Sequence, residues 1–445
     1  MKHIVLFGAG KSATCLIDYL VKLVHTEQWQ LTVVDGDRLL AESKTGKAPG
    51  TSVAVVNIEH DAVERRQLVQ LADIVISLLP PHLHQIIAID CLDAGKHLLT
   101  ASYAGADMLE LDARVREKGL LFLCEMGLDP GIDHMSAMQL FTHIKEKGGV
   151  IHSFKSHCGG LVAPESDNNP WHYKISWNPR NVVLAGKAGA VYRENGQNCS
   201  LPYADLFKKG GAVEIPGAGK LAWYANRDSL GYIPIYALEE AGTFIRTTLR
   251  YPDFLTGWQM IQELNLADET VQYNTAGKTL KQFFADYTAA NKLESVLNGL
   301  TPVQKEQLLF LGWEDAETLI PKETASAADV LQLALEQKLK LQPGDKDMIV
   351  MMHEIEYRLP GETTNRYLGS SLVVLGEDAL RTAMAKTVGL PLGIAAKLVL
   401  QGVIQKAGVH IPVTSDIYTP VMAELATHGI VFHERDGISP AEMPS

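Results

Sequence analysis

Cysteine is scarce in this chain of 445 residues: Cys15, Cys91, Cys124, Cys158 and Cys199 are odd in number and lack the paired spacings of a zinc site or a disulfide framework. No metal is therefore expected, and the thiols read as reduced. Positive charge is also in short supply, with 40 Lys and Arg against 52 Asp and Glu and a net charge of -12, which argues against binding nucleic acid through a basic surface. No uninterrupted apolar run is long enough to span a bilayer, so no membrane partner is expected. The N-terminus enters a strand-like run without the basic region and cleavage site of a secretory signal. These absences set the expectation of a cytoplasmic protein. Repeats, low-complexity tracts and long linkers are missing too. What is present is a 46% hydrophobic chain, long enough for two or three domains with large cores.

The first third alternates strand and helix. His3 to Phe7 is apolar and runs into Gly8-Ala9-Gly10-Lys11-Ser12-Ala13, then into a helical pattern through Leu16, Ile17, Leu20 and Leu23. In a strand-turn-helix of this kind Gly8 permits the tight turn, Gly10 lets backbone approach a pyrophosphate, and Ala13 allows close helix packing. Lys11 and Ser12 complete the phosphate-facing turn. Leu31 to Val34 reads as the second strand and ends at Asp35, where an acidic side chain would take a ribose 2'-hydroxyl and repel a 2'-phosphate. That favours NAD, while Arg38 nearby leaves NADP open. Ser52 to Val56 and Ala72 to Leu79 are further strands, the latter stopped by Pro80-Pro81, which places Leu78 and Leu79 at a carboxyl edge facing the cofactor. His82 and His84 follow and read as surface histidines. A helix from His84 to Ala94, a strand from His97 to Thr100 and the loop Ser102-Tyr103-Ala104-Gly105 come next, with Tyr103 aimed at the nicotinamide. A helix over residues 107–118 leads to the strand Leu120 to Leu123.

That strand delivers the chain to Cys124-Glu125-Met126-Gly127-Leu128-Asp129-Pro130-Gly131-Ile132-Asp133-His134-Met135, which carries carboxylates, a histidine and turn residues together. Pro130 biases Asp129 towards extended backbone, Gly131 frees it, and Asp133 is placed to cap a helix beginning near Met135. Several strand ends thus converge on one crevice, and the Asp129 loop is the last of them.

Beyond it the pattern changes to a mixed sheet. Val150 to Ser156 alternates and ends at Cys158-Gly159-Gly160, which reads as a loop exposing the thiol. Arg227 and Arg250 carry planar forks suited to carboxylates. Residues 253–341 are almost wholly helical in pattern. Met348 to Arg358 and Tyr367 to Leu375 alternate as strands, and residues 379–386, 391–401 and 421–428 read as three helices, the first two packing back on the nucleotide domain. The tail from Ser439 is expected to fray. The fold expected is α/β: a Rossmann-type doubly wound parallel sheet over residues 1–134, joined by C-terminal helices of about 377–445, plus a mixed α+β substrate domain over 135–252 and 342–376 with a helical subdomain over 253–341.

The glycine turn, the block Gly127-Leu128-Asp129-Pro130-Gly131-Ile132-Asp133-His134 and the block Cys158-Gly159-Gly160-Leu161-Val162-Ala163-Pro164-Glu165 together resemble the glutamate-forming saccharopine dehydrogenases, or saccharopine reductases. Further matches run through Tyr173-Lys174-Ile175-Ser176-Trp177, Asn226-Arg227-Asp228-Ser229, residues 245–251 and Thr387-Val388-Gly389-Leu390-Pro391, so the resemblance covers nearly the whole chain. Val162 departs from the proline more frequent in that family, and Gly36-Asp37 stands where NADP-using members tend to carry an arginine. The resemblance implies reversible oxidation of saccharopine by a nicotinamide cofactor to an imine, which water converts to glutamate and 2-aminoadipate 6-semialdehyde. It also implies Arg227 and Arg250 as anchors, Thr248 and Leu249 as pocket lining beside Tyr103 and Ala104, and Cys158 at the substrate. The nicotinamide would lie between Leu79 and the Leu128-Asp129-Pro130 turn. Which of Tyr103, Asp129 and Cys158 moves a proton stays open, as does a homodimer. Two rivals are a carboxyspermidine-type reductase, which would want carboxylates where this chain has arginines, and a non-catalytic dinucleotide sensor, which would need neither the Asp129 loop nor the arginines.

Overall fold

The computed structural model describes residues 1–437 and divides into two compact units. The first comprises Met1–Ile151, Tyr357–Asn365 and Leu380–Glu434; the second comprises His152–Glu356, Arg366–Ala379 and the last described residues from Arg435. The tail from Ser439 lies outside the described residues.

The first unit is built on a parallel sheet. Its strands are β1 (His3–Phe7), β2 (Gln30–Asp35), β3 (Thr51–Val55), β4 (Ile74–Ser77), β5 (His97–Thr100) and β6 (Leu121–Leu123), with Gly408–His410 added beside β6. The spatial order is Gly408–His410, β6, β5, β4, β1, β2, β3, every neighbouring pair being parallel. Ile4, Val5, Leu6 and Phe7 are all fully buried, as a central strand covered by helices on both faces must be. The order reverses between β1 and β4, and in sheets of this kind the carboxyl ends of the strands at the reversal are where ligands bind. The edge strand Gly408–His410 has no counterpart in the sequence reading; three residues are too few for alternation to show.

Two helical expectations change. Residues 107–118 form two short helices, Ala106–Leu109 and Asp112–Glu117. Residues 379–386 and 391–401, expected as two helices with Pro391 opening the second, give one helix, Ala383–Leu400, with that proline inside. An interior proline costs about 3 kcal/mol, and here packing outweighs it. The helix lies so close to Thr14–Glu27 that a Cβ on Gly389 would come 2.9 Å from the Leu16 nitrogen and one on Gly393 2.6 Å from the Tyr19 ring. By length and composition this helix could also cross a membrane, but 78% of it is buried inside the protein, as in a core helix.

The second unit carries a ten-stranded mixed sheet whose central strands run in the order Gly211–Ile215, Gly219–Ala225, Thr243–Arg250, Val150–Val162, Asp347–Arg358 and Arg366–Leu375. One face supports a helical layer. Its core includes fully buried Trp171, Phe254 and Trp258, the last two stacked with ring centroids 5.0 Å apart. Helices there start at capping boxes on Thr279, Thr301 and Ser326, which satisfy end N–H groups that packing alone would leave bare. A small two-stranded antiparallel sheet, Gln272–Asn274 with Thr324–Ser326, brackets three helices of this layer.

Candidate active site

At the carboxyl end of β1, Gly8 adopts φ +102°, and a Cβ there would lie 2.7 Å from the Leu78 carbonyl oxygen, so only glycine fits both the turn and the approach to β4. At Gly10 a Cβ would meet nothing within 4 Å. The backbone faces open space where Ala13, buried, leads into the helix Thr14–Glu27, with Lys11 exposed and Ser12 half-buried. A pyrophosphate fits that turn. The Asp35 carboxylate closes β2 and accepts from the Ala9 N–H at 2.7 Å and the Asp37 N–H at 2.9 Å, which ties the glycine turn to the β2 edge. The Lys44 ammonium donates to the Gly10 carbonyl at 2.5 Å, and burial pulls its pKa down to about 8 against the opposing pull of Asp35. Leu78 and Leu79 are half-buried at the end of β4, and Tyr103 and Ala104 likewise beyond β5.

The stretch after β6 is a pinched loop. Gly131, at φ +145°, brings its backbone so close to Gly127 that a Cβ would sit 2.1 Å from the Gly127 oxygen, and the Gly127 N–H donates to the Pro130 carbonyl at 3.0 Å. Asp129 is half-buried and precedes Pro130 through a cis peptide bond, while Leu128 and Pro130 are buried. The helix starts at Ile132, earlier than the periodicity predicts, and its N-cap position is Gly131. Asp133 is not the cap. It lies within the first turn, and its Oδ1 accepts from the Gly131 N–H at 2.6 Å, so the anion at this helix start is the chain's own carboxylate.

Sequence reasoning gave no role to three buried residues in this region. Glu125 and His134 are buried and paired, Oε2 to Nε2 2.8 Å, and the other Glu125 oxygen accepts from the Ala104 N–H at 3.0 Å. His84, expected on the surface, is buried with Nδ1 at 2.8 Å from the Ser77 hydroxyl and Nε2 at 2.7 Å from the Ser102 hydroxyl. Burial, reinforced by the charge of His82, drives the His84 pKa down to about 4. The signal in the sequence was the density of polar residues at three consecutive strand ends, which a residue-by-residue reading passes over.

In the second unit Cys158 is not on a loop. It lies inside the strand Val150–Val162 and is 6% exposed. The adjacent glycine serves packing: a Cβ on Gly159 would come 2.5 Å from the Leu249 oxygen of the neighbouring strand. Cys158 pairs in register with Thr248, so the two share a sheet face, and alternation puts Arg246 and Arg250 on that face as well. Leu249 points the other way into an apolar cluster with Leu161, Leu221 and Met348. The Arg250 guanidinium lies 5.2 Å from the Tyr173 ring centroid and 5.3 Å from that of Phe254, and it donates to the Leu249 and Gly160 carbonyls at 2.7 and 3.4 Å. Arg227 is exposed at φ +50°, a left-handed backbone that a residue with a Cβ adopts at a cost. The structure thus gathers Gly8, Gly10, Lys11, Ser12, Ala13, Asp35, Leu78, Leu79, Tyr103, Ala104, Leu128, Asp129 and Pro130 at strand ends of the first unit, and Cys158, Thr248 and Arg250 on one face in the second. Among the described residues no cluster of metal-binding side chains occurs.

Residues 4–123 match the family model described as the saccharopine dehydrogenase NADP binding domain, and residues 127–430 match the saccharopine dehydrogenase C-terminal domain. The chain is 30% identical to saccharopine dehydrogenase [NADP(+), L-glutamate-forming] of Schizosaccharomyces pombe over 98% of this chain and 99% of that one. It is 34% identical to the mitochondrial alpha-aminoadipic semialdehyde synthase of Bos taurus, covering 97% of this chain and 47% of that protein. The chain thus spans about half the length of the semialdehyde synthases it matches. The apo saccharopine dehydrogenase (L-Glu forming) from Saccharomyces cerevisiae superposes with a TM-score of 0.88 at 27% identity, over 98% of this chain and 100% of that one. These matches support a nicotinamide cofactor but not the selection of NAD by Asp35: the matching model is an NADP binding domain, and the Asp35 oxygens are already engaged by backbone N–H groups.

Proposed function

The chain belongs to the saccharopine dehydrogenase family, and on that premise we propose that it interconverts saccharopine with L-glutamate and 2-aminoadipate 6-semialdehyde, with NADP as the preferred coenzyme. The observation that carries this reading is two-way coverage: the alignment with the L-glutamate-forming relative takes in 98% of this chain and 99% of that one. The coenzyme, when bound, supplies the hydride acceptor. Gly8 and Gly10 admit its pyrophosphate, and Arg38 and Lys11 are the proposed partners of a 2'-phosphate; Arg38 is 57% exposed and lies 3.4 Å from Glu42.

Saccharopine loses a proton from its secondary amine and a hydride from the adjoining carbon, giving an imine; water adds to that carbon and the C–N bond then breaks. Each proton needs a donor or acceptor. Tyr103, Asp129 and Cys158 are proposed for those transfers, Arg227 and Arg250 for the substrate carboxylates, and Thr248 and Ala104 as further substrate contacts. Leu249, expected in the pocket, is left out of this reading, since its side chain is in the core and its carbonyl accepts from Arg250. The test is an absorbance assay of the purified chain with saccharopine and either coenzyme, with product identification. The expected result is turnover to glutamate and the semialdehyde with a higher kcat/KM for NADP. No turnover would overturn the assignment, and a clear NAD preference would return Asp35 to the role the sequence suggested.

A further inference from the structure

We infer that Glu125, braced by His134, is a positioning residue for this reaction: it sets Tyr103 and Asp129 relative to one another without touching the substrate. The inference rests on the saccharopine reading above and adds a residue to it. Glu125 is 3% exposed and holds φ +59°, a left-handed backbone that a side chain with a Cβ adopts at a cost. Its two oxygens face different elements. Oε1 accepts from the Ala104 N–H, next to Tyr103; Oε2 lies 2.8 Å from Nε2 of His134, on the helix Ile132–Glu146 that begins where the Asp129 turn ends. One side chain therefore ties together the two loops that carry the proposed proton-handling groups.

The Tyr103 segment is held on its other side as well. The Glu125 N–H donates to the Ser102 carbonyl at 3.0 Å and the Met126 N–H to the Thr100 carbonyl at 3.0 Å, while the Ser102 hydroxyl is bonded to His84, itself rooted on Ser77 at the end of β4. Tyr103 thus sits between two anchored neighbours, Ser102 and Ala104. A purely stabilising role explains this arrangement poorly. A buried carboxylate-imidazole pair contributes little net stability compared with an apolar pair of the same volume, and placing it on a left-handed residue adds strain. Alignment of reacting groups does repay such a cost, because a displacement of about 1 Å can reduce turnover about a hundredfold.

The experiment compares Glu125→Gln, Glu125→Ala, Glu125→Asp and Ser102→Ala for kcat, for saccharopine KM, for coenzyme Kd by fluorescence titration of NADPH, and for melting temperature. Gln keeps an acceptor for the Ala104 N–H and should hold kcat within about fivefold of the parent, whereas Ala should lose about tenfold to a hundredfold. Both should bind NADPH as the parent does. If Glu125→Ala does not fold, Glu125→Asp and Ser102→Ala take its place, and each should lower kcat about tenfold with coenzyme Kd unchanged. Parent-like kcat in Ala, or in Asp and Ser102→Ala together, overturns the inference, as does a parallel loss of NADPH affinity and melting temperature, the mark of a structural brace. A parent chain without saccharopine turnover overturns the reading of the reaction itself, and the positioning role with it.

Discussion

At the end of β1 two glycines shape a turn, and in the second unit Gly159 lets strands close together. Gly8 turns at φ +102° against Leu78, and Gly10 leaves open space before a helix; Gly159 lies in a strand where a Cβ would strike the Leu249 oxygen at 2.5 Å. Buried polar groups divide in the same way. In the first unit Glu125, His134 and His84 hold loops at strand ends. In the second, His157 spans the middle of the sheet, 2.7 Å from the Thr247 hydroxyl and 2.9 Å from Glu354, whose other oxygen accepts from Tyr367 at 2.9 Å. The same residue types fix loops at strand ends in one unit and hold a sheet together in the other.

The largest effects should come from the proposed proton-handling groups. Tyr103→Phe, Asp129→Ala and Cys158→Ala should each lower kcat by roughly ten to a few hundredfold and change the shape of the pH-rate profile, with none abolishing activity if transfer is shared or passes through water. Three parent-like profiles would reduce the Asp129 loop to a structural turn. Next in size, Gly159→Ala should destabilise the second unit by about 1–3 kcal/mol through overpacking against Leu249, read as a lower denaturation midpoint; an unchanged midpoint would break the contrast between the glycines.

A smaller effect concerns Glu354. Burial pushes its pKa up, but the hydrogen bond and charge of His157 outweigh that and leave it below the ordinary glutamate range. A carboxyl depressed in the folded state contributes stability above its unfolded pKa, and that stability is lost as pH falls through the folded value. Glu354→Gln should therefore cost about 1 kcal/mol or more near neutral pH, and the gap should narrow in acid. Denaturant titrations at both pH values check this; a gap that does not change with pH would mean that the carboxylate's charge is irrelevant to the sheet.

Legibility in the sequence followed the range of the signals. The helix His84–Ala94 and the strand His97–Thr100 lie where periodicity and punctuation put them, because parallel strands and their turns are written in neighbouring residues. Cys158-Gly159-Gly160 reads locally as a loop because Gly159 answers to Leu249, ninety positions away in the chain, and no local pattern reports that contact. Pro391 was misread as a helix boundary for a similar reason: the packing of Gly389 and Gly393 against Leu16 and Tyr19 is invisible in the segment itself. Asp35 was placed correctly at the end of β2, but its bonds to Ala9 and Asp37 are a property of the folded turn.

The division of labour between the units is tested most directly by one paired measurement on Gly10→Ala and Arg227→Ala: NADPH Kd by titration and saccharopine KM and kcat for each. A Cβ on Gly10 meets no protein atom, so that variant should fold as the parent does and weaken NADPH binding while leaving saccharopine KM near its parent value. Arg227→Ala should do the reverse, with substrate use weakened by on the order of 2 kcal/mol and NADPH Kd unchanged. If both variants move both quantities together, coenzyme and substrate recognition are not separated in this way, and the account fails.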